Sequence, residues 1–282
     1  MEFLEPIEGK RILDATVGTG GHSEAFLKRL GSGALVALDQ DSQALEIART
    51  RLNGPGRQVS FIHSNFSNMK QAAENLGFYK FDGILMDLGV SKLQLTEPDR
   101  GFSFNRNEEL DMRMDKRQHL TAKGIVNKYK EDSLRGLLQE YGEEPFARRI
   151  AAAIIHYRQK KRIETTLELA EIVKKAVPRK AWPKRIQPET RTFQAIRIAV
   201  NNELENLKQG LAQAVDLLDT GGKLLVISYH SLEDRIVKRY FKSCSQNSFK
   251  IITKKPIAPE KEEIFNNPQS RSAKLRVLER AS

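Results

Sequence analysis

The chain has 282 residues, 39% hydrophobic content and a formal net charge of +11. That length suits one large domain or a core with an insertion. The absence of any run of about 18 apolar residues excludes a transmembrane helix, so no membrane partner is expected. A single cysteine, Cys244, excludes an internal disulfide and a cysteine-based zinc site, and no metal is expected. Residues 1–9 carry three glutamates and no basic, apolar leader, so a signal peptide is not expected and the expected compartment is the cytoplasm.

The first strand is expected over 11–15. It runs into the turn Gly18-Thr19-Gly20-Gly21-His22, and a helical pattern follows over 23–30. Strand, glycine-rich turn and helix is how an α/β fold brings backbone amides close to a nucleotide-like ligand. A second strand, 34–38, ends in Asp39, 21 residues past Gly18. A carboxylate at that distance can accept both ribose hydroxyls of a bound adenosine. The third small residue of a dinucleotide fingerprint is missing, because Ser23 stands there. The pattern Asp14-x-x-x-Gly18-x-Gly20-Gly21 suits S-adenosylmethionine better. That cofactor has no phosphates, carries a cationic sulfonium, and offers an amino group that Asp14 could hold. The plain alternative is that the glycines only make a tight turn, and the spacing to Asp39 weighs against it. His22 can equally serve to satisfy backbone groups of the turn.

Next come a helix at 42–52, a strand at 58–62, a helix at 66–76 and a strand at 81–87. Breaks fall at Asn53-Gly54-Pro55-Gly56 and Leu76-Gly77. Alternating strands and helices at this spacing predict a parallel sheet with helices on both faces. The last strand delivers Asp87 and Ser91 to the carboxyl edge, where ligands bind in open α/β folds. Amino-methyltransferases commonly carry a Pro-Pro motif there. It is absent here, and Asp87 is left either to orient a cofactor or amine or to cap a loop.

From about 96 to 188 no strand is expected. Helical periodicity appears at 121–129, 133–140, 145–161 and 166–176. This reads as an all-helical insertion over 105–189 in a core made of 1–104 and 190–282, with Pro178, Pro183 and Pro188 marking its exit. Residues 148–185 hold twelve Lys or Arg against three Glu, a net of +9. A basic concentration of this kind suggests a polyanion, most simply nucleic acid, with Arg158, Lys160, Lys161 and Arg162 as phosphate contacts. The competing reading is a solvated helix face. Just before it, Phe102 and Phe104 flank Ser103 in a loop and can stack on a base. Asp111 and Arg113 lie in an unusual Leu-Asp-Met-Arg-Met-Asp run that suggests substrate contact, though acids there can also start a helix.

A single long helix is expected over 192–218. Thr220-Gly221-Gly222 then breaks the chain, followed by a strand at 223–228 and an amphipathic helix at 231–244. Ser231 is expected to cap that helix with Asp234 as its capping-box partner. This leaves Tyr229 and His230 free for substrate at the catalytic edge, with Asp87. Two more strands are expected at 250–254 and 274–278. The polar linker 256–272 between them is expected to be mobile. A sheet completed by a late hairpin is the usual shape of an S-adenosylmethionine-dependent methyltransferase.

Taken together, the motifs resemble one family, the bacterial 16S rRNA (cytosine-N4)-methyltransferases of the RsmH (MraW) type. The residues carrying the resemblance are Gly20-Gly21-His22-Ser23, Asp87-Leu88-Gly89-Val90-Ser91, Arg100-Gly101-Phe102-Ser103-Phe104 and Leu110-Asp111-Met112-Arg113-Met114-Asp115. Further along come Arg191-Thr192-Phe193-Gln194-Ala195-Ile196-Arg197, Asn201-Asn202-Glu203-Leu204, the run 228–235 around Tyr229-His230-Ser231, Asn267-Pro268 and the run 271–276. The resemblance implies a Rossmann-like methyltransferase sheet with an inserted helical domain and S-adenosylmethionine as donor. It implies a P-site cytosine of 16S rRNA in the small ribosomal subunit as acceptor. Family cofactor contacts map onto Gly20, Gly21, His22, Asp39, Phe66, Asp87 and Gln94. Two departures stand out. The family's usual Ser-Pro after Gly-Val-Ser is replaced by Lys92-Leu93, and its His-x-Pro-Val-Leu-Leu segment before the first strand is not present ahead of Glu8-Gly9-Lys10. Two alternatives stay open: methylation of another RNA or DNA amine, or a cofactor-binding RNA-binding protein without activity. Formation of a homodimer is also left open.

Overall fold

The computed structural model describes residues 2–183, 186–246 and 248–281. Lys184 and Arg185 of the basic stretch lie outside the described residues. The chain separates into two compact units, one of Met1–Gly89 with Leu204–Ser282 and one of Val90–Glu203.

The first unit opens with β1 (Arg11–Asp14), α1 (Gly21–Leu30), β2 (Ala34–Asp39), α2 (Ser42–Leu52), β3 (Gln58–His63), α3 (Met69–Glu74) and β4 (Phe81–Asp87). The second unit holds α4 (Lys92–Thr96), α5 (Ala122–Lys128), α6 (Glu131–Gly142), α7 (Ala147–Arg158), α8 (Thr166–Ala176) and α9 (Thr190–Asn201). The chain then returns to the first unit through α10 (Glu203–Leu217), β5 (Leu218–Ser228), α11 (Ser231–Cys244), β6 (Phe249–Ile251), α12 (Lys261–Asn266) and β7 (Lys274–Arg280).

The strands form one seven-stranded sheet in the order β3-β2-β1-β4-β5-β7-β6. The first five are parallel, and β7 runs antiparallel to both β5 and β6. Successive residues of a strand point to opposite faces, and here both faces are covered. Ile12, Leu35, Leu85 and Leu225 join one core with Phe26, Leu30, Leu45 and Leu52 of α1 and α2. Their neighbours Leu13, Val36, Ile84 and Leu224 join the other with Leu207 and Leu211 of α10 and Val237 and Phe241 of α11. That double burial is why the central strands read as unbroken apolar runs.

The sheet departs from expectation in three places. The long helix expected over 192–218 is two helices. Asn202 adopts a left-handed conformation (φ 49°) that ends α9, which a continuous helix cannot accommodate. β5 begins at Leu218 and passes through Thr220-Gly221-Gly222, with a register shift against Phe81 and Gly83 that absorbs the glycines. The linker 256–272 carries α12 and a 3-10 turn at Pro268–Ser272, and Ile257 bridges to Leu275.

The helical unit is wider than the expected insertion. Residues 90–104 and 190–203 group with it, because Phe102, Phe193, Ile196 and Val200 are buried in one core with Leu134, Leu138, Ile150 and Leu169. Thr165 and Glu168 form the capping box that starts α8, as their spacing predicts. Gly142 lets α9 approach α6: a Cβ there would lie 2.8 Å from the Arg191 carbonyl oxygen.

Candidate functional site

Parallel pairing brings three acids to the carboxyl edge of the sheet. Asp14 ends β1, Asp39 ends β2 and Asp87 ends β4. The order β2-β1-β4 reverses the direction of strand addition at β1. The glycine turn after β1 therefore lies at a topological switch point, where α/β sheets open a crevice.

That turn is held from below. Asp14 is 1% exposed, accepts from Ser23 Oγ at 2.7 Å and from the Thr16 amide at 3.2 Å, and burial raises its pKa. Its two oxygens shape the turn, and its side chain lies beneath the surface that a ligand's amino group would meet. Gly18 (φ 51°) and Gly20 (φ 87°) take left-handed conformations that a side chain would strain. Gly21 starts α1 with open space around the position of a Cβ.

Asp39 accepts from the Gly18 amide at 2.8 Å and from the Asp41 amide at 2.9 Å, one bond to each carboxylate oxygen. Burial pushes its pKa up to about 6, against the lowering by those two amides. A carboxylate has about four acceptor positions, so acceptor capacity is left on both oxygens. Asp41 in turn caps α2.

Asp87 is the centre of the edge. Its Oδ1 accepts from the Tyr229 hydroxyl at 2.9 Å, and its Oδ2 lies 3.3 Å from His22 Nε2. Its own amide donates to Thr16 Oγ1 at 2.6 Å, which ties the end of β4 to the turn after β1. The hydrogen bond to Asp87 raises the His22 pKa despite partial desolvation. Burial, then the charge of Asp87, push the Tyr229 hydroxyl far above its ordinary value, so it stays a donor. Residue type alone did not single out Thr16. Its signal was its place two residues beyond a strand-end acid.

His230 is not free. It is the N-cap of α11, accepting from the Glu233 amide at Nδ1 (3.4 Å), while its Nε2 lies 3.2 Å from Glu233 Oε1. Glu233, only 2% exposed, accepts in return from the Tyr229 and His230 amides. The capping box is thus His230–Glu233, one residue ahead of the expected Ser231–Asp234. Asp234 instead pairs with Arg276 and Lys274 of β7. Of the three catalytic candidates, Asp87 and Tyr229 meet, while His230 caps α11 through Nδ1 and its buried Nε2 makes no hydrogen bond among the described residues.

Phe66 follows β3 and begins a short 3-10 turn. Its ring lies against α10 at Gly210, where a Cβ would come within 2.6 Å of Phe66 Cδ2. Gln94 lies in the helical unit, where it closes the capping box of α4 with Ser91.

The expected substrate contacts all lie in the helical unit. Phe102 is 6% exposed within that core, and Phe104 packs edge-on against Phe193 with centroids 5.2 Å apart. Phe102 therefore has no free face for a base. Arg113 forms a bidentate pair with Asp111 and donates to the carbonyls of Lys116 and Gln118, so this pair braces its own loop. Arg158 donates to the Val126 carbonyl at 2.8 Å. Lys161 pairs with Glu168 and Arg162 with Glu164, while Lys160 is exposed.

A family model described as the MraW methylase family matches residues 1–281. The chain is 50% identical over 278 residues to a Sulfurihydrogenibium sp. protein named ribosomal RNA small subunit methyltransferase H, covering 98% of this chain and 94% of that protein. It is 49% identical over 281 residues to the protein of that name from Persephonella marina (99% and 96% covered). With the one from Clostridioides difficile the identity is 47% over 285 residues (95% and 92% covered).

Proposed function

Because this chain belongs to the MraW methylase family, we propose that it moves the methyl group of S-adenosylmethionine to the N4 amine of a P-site cytosine in 16S rRNA. The acceptor class follows the names of its relatives, which are small-subunit rRNA methyltransferases. The observation that carries the reading is Asp87, a carboxylate at the sheet edge held by Tyr229 and His22.

The residues suit that donor. It supplies a methyl on a cationic sulfonium, and the edge offers the carboxylates of Asp39 and Asp87. Asp39, with acceptor capacity left on both oxygens, holds the ribose hydroxyls. Gly18, Gly20 and Gly21 give the close backbone approach, and the ring of Phe66 forms part of the adenosine side.

A cytosine exocyclic amine has its lone pair delocalised into the ring. An acceptor on its N–H rotates that lone pair toward the methyl. Asp87 serves as this acceptor, and Tyr229 fixes the rotamer of Asp87. His22 Nε2, 3.3 Å from Oδ2, holds the other carboxylate oxygen. The base must leave its stack to reach this edge. Positioning supplies most of the acceleration, because the amine becomes acidic on transfer and releases its proton to water.

The test is methyl transfer to small-subunit particles that lack the modification, with the product mapped by mass spectrometry of nuclease digests. One N4-methylcytidine in the P-site region is the expected result. Methylation at another RNA amine would replace the acceptor. Cofactor binding without transfer to any RNA would overturn the catalytic reading.

A further inference from the structure

The connection between β6 and β7 returns to the catalytic edge. β7 is antiparallel to β5, and Lys274 pairs with Ser228, the residue before Tyr229. The chain just ahead of Lys274 is therefore at the level of the Asp87–Tyr229 pair. The Glu263 carboxylate on α12 is close enough to add to the rise in the Tyr229 pKa. Two residues beyond Glu263 stands Phe265, 85% exposed, the most exposed large hydrophobic side chain among the described residues. Exposed amides follow at Asn266, Asn267 and Gln269, and exposed cations flank the segment at Lys254, Lys255, Lys261 and Arg271.

An aromatic ring held in solvent beside amides, with Lys261 before it and Arg271 after it, matches single-stranded nucleic acid, whose bases stack on aromatics while cations track the backbone. The acids Glu260, Glu262 and Glu263 lie at the start of α12, ahead of the ring. We propose that Phe265 is a stacking platform for an RNA base next to the methylated nucleotide, with Lys261 and Arg271 on the adjoining phosphates. The proposal rests on the reading of this chain as an rRNA methylase. It assigns to the β6–β7 connection the base contact that the buried Phe102 does not make.

The experiment is steady-state methylation of small-subunit particles by the full chain. Phe265→Ala should raise KM for particles by about five- to a hundredfold, the span of one base–aromatic stack. Turnover at saturation and S-adenosylmethionine affinity by calorimetry should hold. Phe265→Trp should restore KM, and Phe265→Leu should not. Tyr79→Ala, which removes another exposed aromatic (64%) at the opposite, amino edge of β4, is the control and should leave KM unchanged. A KM within twofold of wild type in Phe265→Ala overturns the proposal, as does full rescue by Leu. A change of oligomeric state in Phe265→Ala by sedimentation also overturns it, because the ring would then cover a second copy. If the unsubstituted chain methylates no particle, the methylase reading fails first and this proposal falls with it.

Discussion

The Tyr229 hydroxyl donates to Asp87 Oδ1 at 2.9 Å, joining the end of β4 to the residue that follows β5 across adjacent strands. The bond leaves Asp87 in one rotamer, and burial, followed by the charge of Asp87, keeps the phenol protonated. Tyr229→Phe removes a hydrogen bond to a charged group, worth about 1.5–3 kcal/mol. Turnover should fall about ten- to a hundredfold while cofactor affinity changes little. Asp87→Ala should lose at least about a hundredfold through misalignment, and raising the pH should not restore it. Wild-type methylation by Asp87→Ala would place the acceptor site elsewhere.

Asp39 gives a pH signature. Its pKa is about 6 when folded and about 3.9 in an unfolded chain. The ionised form is the better acceptor of ribose hydroxyls, so S-adenosylmethionine affinity should be level above about pH 7 and fall as pH drops through 6. In the protein without cofactor the linkage has the opposite sign. The raised pKa means that Asp39 makes folding less favourable as pH rises from about 4 to 6. Asp39→Ala should weaken binding at least about tenfold at pH 8, with the gap to wild type narrowing toward pH 5. Calorimetry across that range reads both effects, and a pH-independent affinity in the wild type would remove Asp39 from the site.

Gly210→Ala sets two effects against each other. Alanine favours a helix interior over glycine by about 1 kcal/mol. The new Cβ would lie 2.6 Å from the Phe66 ring and 3.3 Å from Met86 Cε, and overpacking of this kind costs about 1–3 kcal/mol. The clash should win. The thermal midpoint should drop and cofactor binding weaken, because Phe66 must move. A higher midpoint with unchanged binding would show that the ring yields freely.

The basic stretch divides by what each cation already does. Lys160 is exposed, while Arg162 and Lys161 carry exposed ion pairs that a phosphate can displace; Lys160→Ala with Arg162→Ala should lower RNA affinity and flatten its salt dependence by roughly 0.7–0.9 in slope for each phosphate no longer neutralised. Cofactor affinity should not change. Arg158→Ala should instead cost stability, about 1 kcal/mol, by freeing the Val126 carbonyl. An unaltered salt slope in the double variant would make this stretch a solvated face.

By itself the sequence determined the strand–helix rhythm and the three strand-end acids. Apolar runs such as Ile12-Leu13 and Ile84-Leu85-Met86, each ended by an acid and alternating with helical patterns, suit strands of a sheet covered on both faces. The Thr165–Glu168 box was legible because it depends on contacts within four residues, and the glycine turn because its residue types and spacing stand in the sequence. Only the tertiary structure decided which of several possible partners each polar or aromatic group took. Asp14 turned inward because Ser23 and Thr16 reached it first. His230 became a cap because Glu233, not Asp234, faced the start of α11. The helix expected over 192–218 broke at Asn202 because its two halves are buried in different compact units. Phe102 and the Asp111–Arg113 pair became internal supports once the helical unit closed its core around Phe102 and the loop carbonyls found Arg113. Residue type says which groups can bind, but the partner that arrives from elsewhere in the chain decides which of them remain available to do so.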